Sequence, residues 1–459
     1  MKFASLAAAA AILLAGAAGP WSQARAFCGF YVGKADGRLF NEASQVIMAR
    51  DGDRTVLSMQ NDFRGDLSAF ALVVPVPQLL ERDQIRIGDG RLFERIDAWS
   101  APRLVEYFDP DPCRAETRTR RFEKGAAGAP PAAAAEAASD DAALGVRVEA
   151  RYTVGEYDIV LLSAQQSQGL ETWLRTNGYA IPAGAAAALV PYIRQQMHFF
   201  VAKVNLAEQA KTGAAMLRPL QFAFESEKFM LPLRLGMLNA DGPQDLVVYA
   251  LTRSGRVESS NYRTIEVPAN VDLPVIVRAD FGRFYKAMFE RRARQEAYRV
   301  VFTEHVWDMS WCDPCAADPL TVDELRAAGA FWVGEPPASA PQPRPGSPRA
   351  RVAPVGGQKV TLTRLHLRYT PESFPEDLML QVTGDRRNFQ SRYVLRHPFE
   401  GPRTACAAAE PYYRGVDERR ARDARTLASL TGWSLAEIAA AMSLPPAQAD
   451  PWWRSLWPR

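Results

Sequence analysis

Two cysteines separated by two residues, in "WCDPC" at 311–315, form the arrangement in which a dithiol can exchange with a disulfide. That chemistry needs the first thiol ionised near neutral pH, and the positive end of a helix running on from the motif helps to supply the shift. The surroundings here argue against it. Pro319 stands four residues past Cys315 and interrupts a continuing helix. Asp313 lies between the two sulfurs, and its charge opposes thiolate formation. No lysine or arginine is near in sequence. A structural role for the pair is the favoured reading. An extracytoplasmic thiol–disulfide oxidoreductase acting through Cys312 and Cys315 is the alternative.

The chain has five cysteines: Cys28, Cys113, Cys312, Cys315 and Cys406. In an oxidising compartment pairing is the default, and an odd count leaves at least one thiol without an internal partner. Cys28 and Cys113 bracket a β-rich stretch, which predicts a bond between them; closing that loop gives about 4.6 kcal/mol by chain entropy. For the remaining three, either Cys312 bonds Cys315, or one of them bonds Cys406. The same argument gives about 1.9 kcal/mol for the short loop and about 4.6 kcal/mol for Cys315 with Cys406. A zinc site from Cys312, Cys315, Cys406 and one of His305, His366 or His397 lacks the second close pair that structural zinc sites show, so no metal is expected.

Other chemistry is sparse. There is no HExxH, no GxSxG and no phosphate-binding glycine loop, and no catalytic residue or cofactor is assigned. His366 alternates with Arg364 and Arg368 in "TRLHLRY", opposite Leu365 and Leu367, which reads as a solvated polar strand face. Asp109 and Asp111 in "DPDPC" read as a turn rather than a cation site. "WSLAEIAAAMSLPPAQ" has the look of a DNA-reading helix pair, but Pro445 and Pro446 break the second helix, so a capped helix packing on the core is expected instead.

The N-terminus states a destination. Lys2, the apolar run at 6–18 and "ARA" at 24–26 read as a secretory signal, with the mature chain starting at Phe27. No later apolar run reaches membrane-spanning length. The expected location is therefore periplasmic or extracellular. A net charge of +3 on 459 residues gives no reason to expect a nucleic acid as partner. Trp452, Trp453 and Trp457 with Arg454 and Arg459 offer weak contact with a membrane surface; packing of their rings onto the fold is preferred. Partners, ligand and oligomeric state are not encoded in any motif.

The elements that must position these residues divide the chain. After the signal (1–26) comes a β-rich segment, 27–113. "SQVIMAR" and "RTVLSMQ" flank Asp51-Gly52-Asp53 as a hairpin, and "FALVVPVP" puts Phe70, Leu72, Val74 and Val76 on one face. Pro75 and Pro77 mark an edge or a strand end, and a short helix is expected near 90–98. An Ala/Pro-rich excursion covers 114–144 and a proline-rich one 335–357. Between them, 145–334 reads as an α+β core, with helices at 167–177 and 280–296, the latter capped by Asp280. Residues 358–459 return to strands and end in helices near 416–431 and 434–443. The fold class expected is α+β, β-rich, with several short strands, a few amphipathic helices and a helical C-terminus.

The block "FCGFYVGKADGRLFNEASQVIMARDGDRTVLSMQNDFRGD" followed by "FALVVPVP", with "WDMSWCDPCAADPL" and "LTGW" further on, resembles an exported bacterial family, domain of unknown function 2330. The resemblance implies an envelope-associated or secreted protein and no particular reaction. Together these readings predict an exported, non-catalytic binding or envelope-structural protein.

Overall fold

The computed structural model describes residues 30–33, 41–61, 70–114, 146–177, 184–205, 207–208, 217–311, 318–334 and 359–444. The signal region, the first excursion beyond Arg114, the second excursion, Cys28, Cys312, Cys315 and the three C-terminal tryptophans lie outside the described residues.

The chain opens with β1 (Phe30–Gly33) and the hairpin of β2 (Asn41–Asp51) and β3 (Arg54–Asn61). That hairpin turns where expected, because Gly52 takes φ +58° between two aspartates that favour solvent. β4 (Phe70–Val76), β5 (Ile85–Ile87), α1 (Gly90–Ser100) and β6 (Arg103–Phe108) follow, with the Asp89 side chain accepting from the Arg91 amide to cap α1. Next come β7 (Val146–Val154), β8 (Tyr157–Ala164), α2 (Ser167–Thr176), α3 (Ala185–Arg194) and β9 (His198–Val204). The middle of the chain supplies β10 (Leu220–Glu225), β11 (Met230–Leu231), β12 (Ala240–Thr252), β13 (Val257–Ser259), β14 (Arg263–Glu266) and β15 (Val271–Leu273). α4 (Phe281–Gln295) is capped by Asp280 as expected, and β16 (Val300–Asp308) and α5 (Val322–Ala327) follow it. The last part holds β17 (Thr361–Tyr369), β18 (Leu378–Val382), β19 (Phe389–Gln390), β20 (Arg392–His397), α6 (Ala409–Thr431) and α7 (Leu435–Ala441).

The strands build a five-stranded sheet in the order β1-β4-β9-β8-β7 and a nine-stranded sheet in the order β14-β16-β17-β12-β2-β3-β10-β5, with β19 pairing β16. Two three-stranded sheets, β11-β18-β13 and β15-β20-β6, complete the set. The architecture is α+β and β-rich with a helical C-terminus. β4 is an interior strand, yet it carries Pro75. Among the described residues β1 reaches only to Val73, and at Pro75 the neighbour is β9, where Pro75 pairs with Phe199.

Period-two alternation sorts the core into layers. Val46, Met48, Leu57 and Met59 of the large sheet face Leu72, Val74, Leu161 and Phe200 of the five-stranded sheet, forming the sandwich interior. Ile47, Ala49, Tyr249 and Leu251 point to the opposite face, where Phe93, Ile96 and Trp99 of α1 and Leu325 and Trp332 cover them. α2 and α3 bury Leu170, Leu174, Leu189 and Tyr192 on the outer face of the five-stranded sheet. α7, capped by the Ser434 hydroxyl accepting from the Glu437 amide, places Ile438 against α4 and α6, as the reading of a packing helix expected. Among the described residues no helix is long and apolar enough to cross a membrane.

Candidate functional site

The chemistry-bearing side chains that the fold brings together are charged, buried and unannounced by any motif. On β17, Arg364, His366 and Arg368 share the face that α1 and α4 cover. The expectation of a solvated His366 is therefore corrected: the face is polar, but it is roofed. The covering helices come from residues about 70–275 positions away in sequence, so strand alternation alone could not reveal them. The phenyl ring of Phe289 on α4 stacks on the His366 imidazole with centroids 3.9 Å apart.

Opposite His366 lies Glu304, fully buried. Phe302 pairs with His366 and Thr303 with Leu365, but His305 pairs with Arg364, so Glu304 is the extra residue of a β-bulge in β16. The bulge turns the carboxylate into the roofed face. There it meets three donors: His366 Nδ1 at 2.7 Å, Arg364 Nε at 2.6 Å and the Tyr285 hydroxyl of α4. Arg364 also donates Nη1 to Asp97 of α1 at 2.6 Å, and the Tyr249 hydroxyl donates to the same carboxylate at 2.7 Å. At the other end His366 Nε2 lies 3.6 Å from Asp245, and Arg368 bridges Asp245 and Glu290.

Electrostatics follow from this geometry. Burial disfavours ionised Glu304, but the His366 and Arg364 charges and the hydrogen bonds from His366 and Tyr285 outweigh it and hold the carboxyl down at about 2. Burial likewise opposes a charged His366, and Glu304 with Asp245 overcomes it, raising the imidazolium to about 9. His305, beside Glu304 and edge-on to Trp99, goes the other way: burial first, then the Arg103 and Arg364 charges, push it well below its ordinary value. Burial raises the Tyr285 and Tyr393 hydroxyls, and that of Tyr393 has no hydrogen-bond partner among the described residues. A carboxylate with three donors and a low pKa is a weak base, and a histidine held charged is no nucleophile. The arrangement ties β12, β16, β17, α1 and α4 together through ionised pairs.

The cysteines pair otherwise than expected. Cys113 is bonded to Cys406, with Cα atoms 5.9 Å apart and a sequence separation of 293. This replaces both the Cys28–Cys113 bond and any bond from Cys312 or Cys315 to Cys406. The physical reason is the β15-β20-β6 sheet: β6 runs beside β20, so the chain leaving β6 at Phe108 and the chain leaving β20 at His397 arrive together. Tyr412 and Arg419 of α6 both donate to Asp109, anchoring the same corner. Asp109 is thus an ion-pair partner and Asp111 caps its own turn at the Cys113 amide. His397 pairs with Glu106 across β6 and β20. Among the described residues no cluster of three or more His, Cys, Asp or Glu side chains could hold a metal.

Clefts open on the surface at two places among the described residues that matter here. One, of about 230 Å³, lies between the sheets at Val76, Met197 and Phe224. The larger, of about 540 Å³, is bordered by Trp307, Phe389 and Arg392. Neither is lined by a member of the Glu304 network. Sequence reasoning missed Glu304 and Asp245. The one usable signal was the polar pair Glu304-His305 inside the otherwise apolar run "VVFTEHVW".

No curated protein and no solved structure matches this chain. A family model described as an uncharacterised protein conserved in bacteria, DUF2330, matches residues 22–381, and the chain belongs to that family.

Proposed function

We propose that this is an exported protein that works by binding or by structural support in the cell envelope, without a catalytic step. The observation that carries the reading is the Cys113–Cys406 disulfide, which closes the chain across 293 positions. Such a bond persists in an oxidising compartment and is lost in a reducing one. The apolar run at 6–18 with "ARA" at 24–26 supports the same destination. The saturated Glu304 network supports a non-catalytic role, since its acids and bases are spent on one another.

The test is fractionation of bacterial cells expressing the whole chain, followed by intact mass and non-reducing peptide mapping. The expected product lies outside the cytoplasm, begins at Phe27 and yields one peptide pair joined through Cys113 and Cys406. A cytoplasmic product that retains residues 1–26 and a reduced Cys113 would overturn the reading.

A further inference from the structure

The larger cleft has the features of a built site. Its walls are the connection from β14 to β15, the end of β16, and β19 with the residues on either side. Two aromatic rings, Trp307 and Phe389, are only half-buried there. Trp307 is held in place at its polar tip, where Nε1 donates to the Trp311 carbonyl at 3.1 Å. The next residue, Asp308, donates its amide to the Asn388 side-chain oxygen at 3.0 Å. The ring is thus fixed before any ligand arrives, which is how a stacking platform keeps its entropy cost low.

Charge in the cleft is unbalanced in one place. Arg387 is matched by Glu266 at 2.7 Å, and Glu266 also takes Arg256 at 3.0 Å. Among the described residues Arg392 has no acidic partner. Its Nε donates to the neutral Asn270 side-chain oxygen at 2.6 Å, the one partner described for its side chain. Asn270 itself sits at φ +56°, a backbone state that few residues other than glycine adopt, and its amide donates to the Arg392 carbonyl. A strained residue that orients an uncompensated guanidinium beside two aromatic rings is the pattern of a ligand clamp. A volume of about 540 Å³ lies within the ordinary range for small-molecule sites.

We propose that this cleft binds a carboxylate-bearing saccharide, with the carboxylate on Arg392 and the sugar face on Trp307 and Phe389. Aromatic rings take the flat C–H face of a pyranose. Planar amide and guanidinium groups, here Asn388 and Arg387, pair with neighbouring hydroxyls. A polar ligand of this kind is also what a protein of the envelope would meet. The inference thus rests on the exported, binding reading of this chain, but the two fail separately, since export is read by mass and fractionation and the cleft by titration.

The experiment uses the purified mature chain. Intrinsic tryptophan fluorescence and calorimetry follow additions of di- and trigalacturonate, of the matching neutral galactose oligomers, and of N-acetyl-dialanine as a peptide carboxylate. The expected result is saturable binding of the acidic sugars, with the neutral ones weaker by roughly tenfold or more. Arg392→Lys, which keeps the charge but loses the planar fork, and Trp307→Ala should each weaken the acidic sugar by a similar factor in calorimetry while far-ultraviolet circular dichroism and a cooperative unfolding transition are retained. Lys228→Ala, in the wall of the smaller cleft, should leave binding unchanged. Equal affinity for acidic and neutral sugars, binding of the peptide carboxylate as tight as that of the sugars, binding that survives both substitutions in folded protein, or no binding of any probe would each overturn the proposal.

Discussion

The pH dependence of stability offers the sharpest test of the Glu304 network. The groups facing His366 are Glu304 from β16, Asp245 from β12, Arg364 and Arg368 from its own strand, and Phe289 and Glu290 from α4. Acids outweigh bases close to the ring, so the folded state holds its proton up to about 9, against about 6.5 when unfolded. That gap corresponds to about 3 kcal/mol. A raised histidine stabilises fully below its unfolded value, where both states are charged, and the contribution is lost as pH rises through the folded value. Between pH 7 and pH 9 the loss comes to about 2 kcal/mol. Glu304, held at about 2 against 4.5, shows the same attraction from its acidic end, lost as pH falls below 4.5, and the two are counted once. Urea unfolding of the wild type and of His366→Gln, at intervals from pH 7 to pH 9, reads the effect. The wild type should lose about 2 kcal/mol more than the variant across that window. Subtracting the two series cancels titrations elsewhere in the chain. Parallel curves for the two proteins would show that His366 is not held charged, and the network reasoning would fail with it.

Other consequences are as direct. Glu304→Gln leaves Arg364 and His366 charged and buried without their shared carboxylate, so it should cost about 3–5 kcal/mol in the same assay. Glu156→Gln should cost less, about 1–3 kcal/mol, because its partner Arg218 is 42% exposed and can turn to water. Cys113→Ser and Cys406→Ser should each lower unfolding stability by about 2–5 kcal/mol, and the double variant by no more than either alone, because all three lose one bond. Gly255→Ala should destabilise by more than about 1 kcal/mol, since φ is +87° and a Cβ there would stand 2.1 Å from the Thr383 carbonyl oxygen; an unchanged unfolding midpoint would show that this turn is not built as described.

What could be read from sequence was local. The Asp51-Gly52-Asp53 turn, the α1 and α4 helices, the Asp280 cap and the packing of α7 all follow from spacing within a few residues. Arg364, His366 and Arg368 were also placed correctly on one face of a strand. Whether that face meets water depends on α1 and α4, and no spacing within β17 encodes their position. The bulge at Glu304 was invisible for the same reason: it exists only relative to the register with β17. Cysteine pairing failed most completely. Proximity in sequence favoured a bond inside 27–113, whereas β6 pairs with a strand some 290 positions later and carries Cys113 to Cys406.

That long-range pairing bears on how the family's shared region is completed. The family match ends at residue 381, before β19, β20, α6 and α7. Yet β20 is the central strand between β15 and β6, both inside the matched range. Tyr393 of β20 packs edge-on against Phe284 of α4, with centroids 5.0 Å apart, and Leu427 of α6 and Ile438 of α7 share that cluster. One residue further along α4, Tyr285 lies edge-on to the same Tyr393 ring, with centroids 6.1 Å apart, and donates its hydroxyl to Glu304. α4 is therefore packed against residues beyond the matched range and, through Tyr285 and Phe289, also roofs the ion network. The disulfide fixes this arrangement by joining Cys113, within the matched range, to Cys406, beyond it. In this chain residues 382–444 do not append a separate unit; they clamp the helix that keeps water away from Glu304 and His366.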